Sequence, residues 1–317
     1  MANNTSGFEG ATKIKNSPSS TIFYIIAYTI VGAMAIVCLV PFLIMVSGSF
    51  TAEKYITFHG FNIYPVEFSM EAYNLIFKTP STVVKAYGVS IYVTVVGTFL
   101  GLMITAATAY VLGRKDFKYR NQFSFFFYFT TLFNGGMVCT YIFFVRYLHL
   151  NDSLWAVILP GMFSVFNMLI MRTFVVGIPA ALIESAKIDG AGEYKIFFSI
   201  ILPLLKPGLA TIGLFLALAY WNNWYNAMLY INNPDKFPLQ YMLYNMLQKS
   251  EAMARIAAQA GLVVTDVPSN SLKMAMAVVA TGPILIVYPF VQKYFVAGIT
   301  IGSVKGCFNT LLFGALR

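Results

Sequence analysis

The sequence predicts an all-α membrane protein with six transmembrane helices, and three observations predict it. The 317 residues are 58% hydrophobic and only 10% charged, with mean hydropathy +0.71. A soluble domain carries about 25% charged residues, and one buried core does not account for the apolar excess over this length. Six stretches stay apolar for about the 20 residues that a spanning helix needs: 22–47, 86–113, 122–148, 153–177, 203–230 and 272–296. Basic residues gather in short segments beside them, so the net charge of +9 does not read as a nucleic-acid-binding face. Membrane lipid is the expected surrounding and no nucleic acid is an expected partner.

The first stretch has no charge between Thr21 and Thr51. It is too long for a signal-peptide core and no small-residue cleavage site follows it, so it reads as a span. The second ends in a tight basic loop, Arg114-Lys115-Asp116-Phe117-Lys118-Tyr119-Arg120. The third and fourth join through a short turn at Asn151-Asp152, and the fourth ends at Gly177-Ile178-Pro179. Lys13 and Lys15, the 114–120 loop, Lys187 and Lys195, and then Lys293, Lys305 and Arg317 all fall on one side if there are six spans. The basic-loop rule makes that side cytoplasmic. Both termini are then cytoplasmic, with tails at 1–21 and 298–317 around a transmembrane domain at 22–297. Segments 48–85, 149–152 and 231–271 face outward as loops.

Arg146 and Arg172 lie inside predicted spans, within about two turns of a helix end. Snorkelling to the interface and ion pairing at a subunit contact are both open readings for them. Cys38, Cys139 and Cys307 have no paired spacing, and the first two, inside apolar runs, read as small core residues. His59 and His149 are the two histidines, both outside the predicted spans, so no zinc site or His-based triad assembles. No G-x-x-x-x-G-K-[ST] phosphate loop is present, so the chain is not expected to hydrolyse ATP or to bind a cofactor itself.

The segment between the fourth and fifth stretches reads as helix–turn–helix. Pro179 suits a helix start, Ala180 to Asp189 a helical run, and Gly190 and Gly192 a change of direction. A second short helical piece then leads into Pro203. At helical angles Glu184, Ser185, Lys187 and Asp189 spread around the first helix and leave no apolar stripe. Such a helix suits a groove on another protein better than a membrane surface. Composition alone favours an ordinary charged loop.

Spacing decides otherwise. Glu184, Ala186, Gly190, Ile200, Leu202 and Pro203 fall in register with E-A-A-x-x-x-G-x9-I-x-L-P, with Ser185 where the motif has alanine. This resembles the coupling motif of ABC-importer permeases. Asn134-Gly135-Gly136-Met137, Trp155 through Pro160, Trp221-Asn222-Asn223-Trp224 and Gln292-Lys293-Tyr294-Phe295-Val296-x-Gly298 look like the carbohydrate-uptake branch of that family. The resemblance covers about residues 20–306. It is strongest to permeases for lipoproteins or complex oligosaccharides, similar to the second permease subunit of maltose- and alginate-type importers.

The resemblance implies a type I importer transmembrane fold in a bacterial plasma membrane, with a cytoplasmic coupling helix at about 180–195 and residues 22–297 as the permease domain. It also implies a homologous second permease, two ATPase subunits that carry ATP and Mg, and an extracytoplasmic sugar-binding protein. Glu184, Ala186 and Gly190 then match positions that dock into the ATPase groove, with Ser185, Lys187 and Asp189 on the same segment. The tail from Cys307 to Arg317 runs past the family's usual end and is not explained by it.

Sugar sites pair an aromatic face with amide or hydroxyl partners, and polar groups in hydrocarbon are costly unless they face a cavity or a partner. Two clusters qualify: Asn134, Tyr141 and Asn167, and Trp221, Asn222, Asn223, Trp224 and Tyr225 beside Tyr220 and Asn226. An interfacial aromatic belt with interhelical hydrogen bonds is the alternative for both. Gly135-Gly136 is expected to break the third span and line the cavity. The expected function is the membrane-spanning permease of an ATP-driven sugar or oligosaccharide importer. A permease of the same architecture for another solute class is the alternative. A secondary transporter is disfavoured because no predicted span carries Asp or Glu.

Overall fold

The structure, a computed structural model, describes residues 18–133, 135–259, 270–286 and 289. Asn134, Cys307, the Gln292–Gly298 motif, the boundary near 297 and most of both tails lie outside the described residues. Among the described residues all regular structure is helical apart from one isolated bridge between Thr51 and Phe68.

Helix α1 is Pro18–Ser49. None of its most apolar window is buried within the chain. Only its last turn docks, with Ser47 and Ser49 buried and Tyr73 Oη donating to Ser49 Oγ at 2.9 Å. A helix apolar all round and unburied needs hydrocarbon or another membrane chain as its surrounding. Cys38 on α1 is exposed, as is Cys139, which corrects their reading as core residues. In a bilayer an apolar run need not point inward.

Two short helices, α2 (Glu53–His59) and α3 (Glu71–Ile76), lead to α4 (Pro80–Gly113). The 34 residues of α4 span about 50 Å. It is the central helix and packs along α12 and α8, defined below. Gly97 permits that approach, since a Cβ there would lie 2.5 Å from the Tyr220 ring.

The third stretch is two helices, α5 (Arg120–Thr130) and α6 (Gly136–Ile142), the latter continued by a π turn at Phe143–Tyr147. The break falls at the predicted glycines, with Gly136 at φ 79°. The fourth is also broken: α7 (Leu154–Ile158) with a 3-10 turn at Leu159–Gly161 meets α8 (Val165–Val176) at 52°. The Ile158 carbonyl at this break accepts from Tyr220 Oη at 2.8 Å, so the irregular backbone stays satisfied.

Next come α9 (Ala180–Ile188) and α10 (Glu193–Ile196), a π turn at Phe197–Ile201, α11 (Leu202–Leu204) and α12 (Lys206–Trp221). The Glu193–Leu204 run meets α12 at 80°, where Pro207 cannot continue the incoming hydrogen-bond ladder. The predicted 203–230 span thus starts at Lys206 and stops at Trp221. Asn223 then caps α13 (Trp224–Tyr230), its Oδ1 accepting from the Asn226 N–H at 3.2 Å. That favours a fresh helix over continuation.

Residues 231–271, expected as a loop, contain α14 (Leu239–Gln259). This helix is too polar to span. Long apolar runs do not reveal it, whereas Leu239 and Leu243 recur at helical spacing and pack with Ala72 and Ile76 of α3. The last described helix, α15 (Asn270–Ile286), packs on α14 through Leu272 and Met276. Glu53, 7% exposed, caps its start. The carboxylate accepts from the Asn270 N–H at 3.0 Å and from Ser271 N–H at 2.8 Å and Oγ at 3.0 Å. A negative charge on the first N–H groups of a helix is stabilising.

Two described helices are long and apolar enough to cross a membrane, or four if each bent pair is one span; α15, and α6 with its π turn, are shorter apolar helices. The described parts of the six apolar stretches are largely helical, but six unbroken crossings are not found among the described residues. Of the segments predicted to share one side, the described ones gather at one end, and the two termini lie outside the described residues. Asp152 of the 149–152 turn pairs with Lys236 at 2.7 Å, and Asp235 pairs with Lys85 at the start of α4 at 2.8 Å. The 114–120 loop and the 178–202 segment meet at the other end.

Candidate functional site

Residues 179–201 form a hairpin at the α4 C-terminal end. Pro179 precedes the first helical residue of α9, where a missing N–H leaves nothing unpaired. Gly190 has φ 76°, a left-handed conformation that ends the helix, and the Ala191 N–H donates to the Ala186 carbonyl at 2.9 Å. The second arm, α10 with its π turn, leads to the 80° bend into α12.

The inner side of the hairpin belongs to the core. Ala186, Ile196 and Phe197 are buried with Tyr110 of α4, Met171 of α8 and Ile212 of α12. The outer side is open: Glu184, Ser185 and Asp189 are exposed, and so are Ile188 (86%) and Tyr194 (84%). The expectation of a helix polar all round is thereby corrected. In place, α9 has one face in its own core and one face that mixes charges with the exposed Ile188, and Tyr194 stands out beside it from α10. Sequence angles alone did not separate the two because the core face is only Ile183 and Ala186 wide.

An ion-pair cluster fastens the hairpin, close to its turn, to the end of α4. Arg114 pairs with Asp116 and with Glu193, and its Nη1 donates to Tyr110 Oη at 3.0 Å. Tyr110 Oη donates to Glu193 Oε2 at 2.9 Å. Lys187 bridges Asp116 at 3.2 Å and Glu193 at 3.4 Å. Lys187, expected on the docking face, is therefore held within the chain. The Arg114 hydrogen bond is the main reason the Asp116 carboxyl lies well below the usual carboxylate range, and Asp116 in turn pushes the Arg114 guanidinium up. For Glu193 desolvation pulls upward, but hydrogen bonds from Tyr110 and Arg114 prevail and hold it below the ordinary value. Sequence reasoning missed this cluster. Its signal was present: acids at 116 and 193 and bases at 114 and 187, in two segments placed on one side.

The predicted pathway residues divide. Asn134 lies outside the described residues. Tyr141 stacks on Tyr230, centroids 5.8 Å apart, and lines a surface pocket with Arg146. Asn167 is buried on α8. Tyr141 and Asn167 share no hydrogen bond or ring contact among the described residues. Trp221 Nε1 donates to the Ala280 carbonyl of α15 at 3.0 Å. Asn222 Nδ2 donates to the Leu218 carbonyl at 2.9 Å, and its Oδ1 accepts from Gln240 of α14 at 3.3 Å. Asn223 caps α13, and Tyr225 Oη donates to Met137 Sδ at 2.7 Å. Trp224 stacks on Tyr244 at 4.4 Å and lines a cavity of about 250 Å³ with Gln240, Tyr244 and Lys273. Of the second cluster, Asn222 and Trp224 meet α14, Trp221 meets α15 and Tyr225 meets α6, the helix of Tyr141, while Asn167 makes none of these contacts. Arg172 Nη1 donates to Ser124 Oγ of α5 at 3.1 Å, a bond within the chain that neither sequence reading named.

Comparison with known proteins gives consistent matches. The family described as binding-protein-dependent transport system inner membrane component matches residues 97–301. The chain is similar to the polygalacturonan/rhamnogalacturonan transport system permease protein YtcP of Bacillus subtilis. The two are 40% identical over 285 residues, covering 90% of this chain and 99% of that protein. Protein LplC of the same organism is 40% identical over 291 residues, 92% of this chain and 97% of that one. Among solved structures, a chain from a bacterial ABC transporter involved in import of the acidic polysaccharide alginate superimposes with TM-score 0.72. It is 29% identical, and the match covers 88% of this chain and 99% of that chain.

Proposed function

The chain belongs to the family of binding-protein-dependent transport system inner membrane components, and from that membership we propose how it works. It is a membrane-spanning permease subunit of an ATP-binding-cassette importer for a sugar or oligosaccharide, with the all-α type I importer fold. Permease subunits of this family are not themselves enzymes.

The finer reading is ours. The 179–201 hairpin faces the cytoplasm and inserts α9 into a groove on an ATPase subunit, with Glu184, Ser185 and Asp189 on the docking side and Gly190 making the turn. Two ATPase subunits hold ATP and Mg. A homologous second permease covers α1, and an extracytoplasmic sugar-binding protein delivers substrate at the far end. Closure of the ATPases moves α9, and the clamp of Arg114, Asp116, Lys187 and Glu193 passes that motion to α4. The polar residues around Asn222 and Trp224 line part of the route.

One observation carries the reading: ion pairs of Lys187 and Glu193 hold the hairpin beside its turn, while the adjacent Ile188 and Tyr194 stand 86% and 84% exposed. Large apolar side chains held out on a fixed support suit a protein groove. The test is to purify the tagged chain from its native membranes in mild detergent and identify what accompanies it by mass spectrometry. A P-loop ATPase and a second permease are expected. Gly190→Trp or Glu184→Lys leaves the chain inserted and removes the ATPase. A fully active assembled complex carrying either substitution refutes the docking assignment.

A further inference from the structure

A cavity of about 740 Å³ opens at the end of the bundle away from the hairpin. The end of α3, the first turn of α4, the 232–237 segment and one side of α14 form its walls. Thr79 and Val83 at the α4 start line it, whereas Arg114 at the other end of α4 holds the hairpin. The volume lies within the roughly 300–1,000 Å³ of small-molecule sites.

The wall is mostly apolar but carries cations and amides that a lipid crevice would leave unmatched. Lys78 and Lys249 both line the cavity, both are exposed, and neither has an ion-pair partner among the described residues. Nearby Lys85, Lys236 and Lys273 are each matched, by Asp235, Asp152 and Glu251. Ser250, also in the wall, is only 6% exposed and its Oγ has no hydrogen-bond partner among the described residues. Buried polar groups ordinarily find one. Asn232 and Asn245 add amides, and Phe237, Met242 and Met246 add an adaptable apolar surface.

We propose that this cavity binds an anionic saccharide, with a uronate-type carboxylate between Lys78 and Lys249. The amides and Ser250 Oγ take ring hydroxyls, and Phe237 with the two methionines takes the C–H face. A neutral sugar would use the amides and the apolar face but leave two cations unmatched. A fatty acyl chain would strand the amides and Ser250. The inference deepens the saccharide-importer reading and rests on it, since only there does the cavity lie at the delivery end.

The experiment uses the assembled importer, purified with its ATPases, and isothermal titration of trigalacturonate, with maltotriose as the uncharged control. Trigalacturonate is expected to bind more tightly than maltotriose and to weaken as salt rises. The double substitution Lys78→Gln with Lys249→Gln weakens trigalacturonate at least tenfold, and Lys78→Arg with Lys249→Arg restores it. Both lysines are exposed, so the fold tolerates these changes, and continued co-purification of the ATPases checks that. If the ATPases co-purify and trigalacturonate does not bind, or binds wild type and the glutamine variant alike, or loses no more affinity than maltotriose, the inference falls and the importer reading stands. If no ATPase accompanies even the wild-type chain, the importer reading falls and the inference with it.

Discussion

At the scale of single residues, three positions have outcomes fixed by geometry. Gly190 sits at φ 76° with nothing within 4 Å of where a Cβ would be, so only backbone strain opposes a side chain there. Gly190→Ala should cost about 1–2 kcal/mol. Its unfolding midpoint in detergent should fall by a few degrees, together with ATPase co-purification. Gly97 is the opposite case, since a Cβ would meet the Tyr220 ring at 2.5 Å. Gly97→Ala should destabilise by about 1–3 kcal/mol through overpacking, and a smaller ring partner, Tyr220→Leu, should relieve part of that loss in a double-mutant cycle. Glu53→Gln keeps the shape of the α15 cap but removes its charge. Thermal unfolding should show a loss of about 0.5–2 kcal/mol, and an unchanged midpoint would mean the cap contributes nothing.

At the scale of elements, the clamp between α4 and the hairpin decides whether α9 moves alone or with the bundle. Arg114→Gln removes the pairs to Asp116 and Glu193, leaving Asp116 against Lys187 and Glu193 against Lys187 and the Tyr110 hydroxyl. The expected phenotype is an importer that assembles and hydrolyses ATP but transports poorly, measured as sugar imported per ATP. Equal coupling in variant and wild type would remove the clamp from the mechanism. Both Asp116 and Glu193 have folded-state pKa values below their ordinary ones. Groups of that kind stabilise the folded state above the unfolded pKa, and the contribution disappears as pH falls through the folded value. The clamp should therefore be fully present at neutral pH and weaken only below the ordinary carboxylate range. Stability measured between pH 7 and pH 3 should drop less steeply in Arg114→Gln than in wild type. The drop should be modest, because Asp116 and Glu193 are 57% and 54% exposed and solvent screens them.

At the scale of the whole molecule, the chain leaves a large surface without a partner of its own. Nothing in the α1 apolar window is buried, and Cys38 lies exposed on that helix. In the chain purified alone Cys38 faces detergent and should be labelled by a lipid-soluble maleimide. In the assembled importer a second permease should protect it, and the unfolding midpoint should rise, because a partner that binds only the folded chain stabilises it by mass action. Equal labelling in both states would place the partner elsewhere.

The sequence by itself determined the helical class, the turn at Gly190, the break at Gly136 and the gathering of the 114–120 and 178–202 segments at one end. Each of these rests on local chemistry: apolar length, a glycine conformation, or charge beside a span. Tertiary structure decided the rest. It broke the fourth and fifth stretches near prolines and asparagines whose neighbours supply the freed hydrogen bonds, as Tyr220 does for Ile158. It turned 239–259 into a helix through packing on α3 and α15, where hydropathy alone had read a loop. It joined Arg114 to Glu193 across 79 positions. The physical reason is that a membrane span announces itself by transfer free energy summed along the chain, which any window of residues reports. Partners for polar groups are found across the fold, and no window of sequence contains both members.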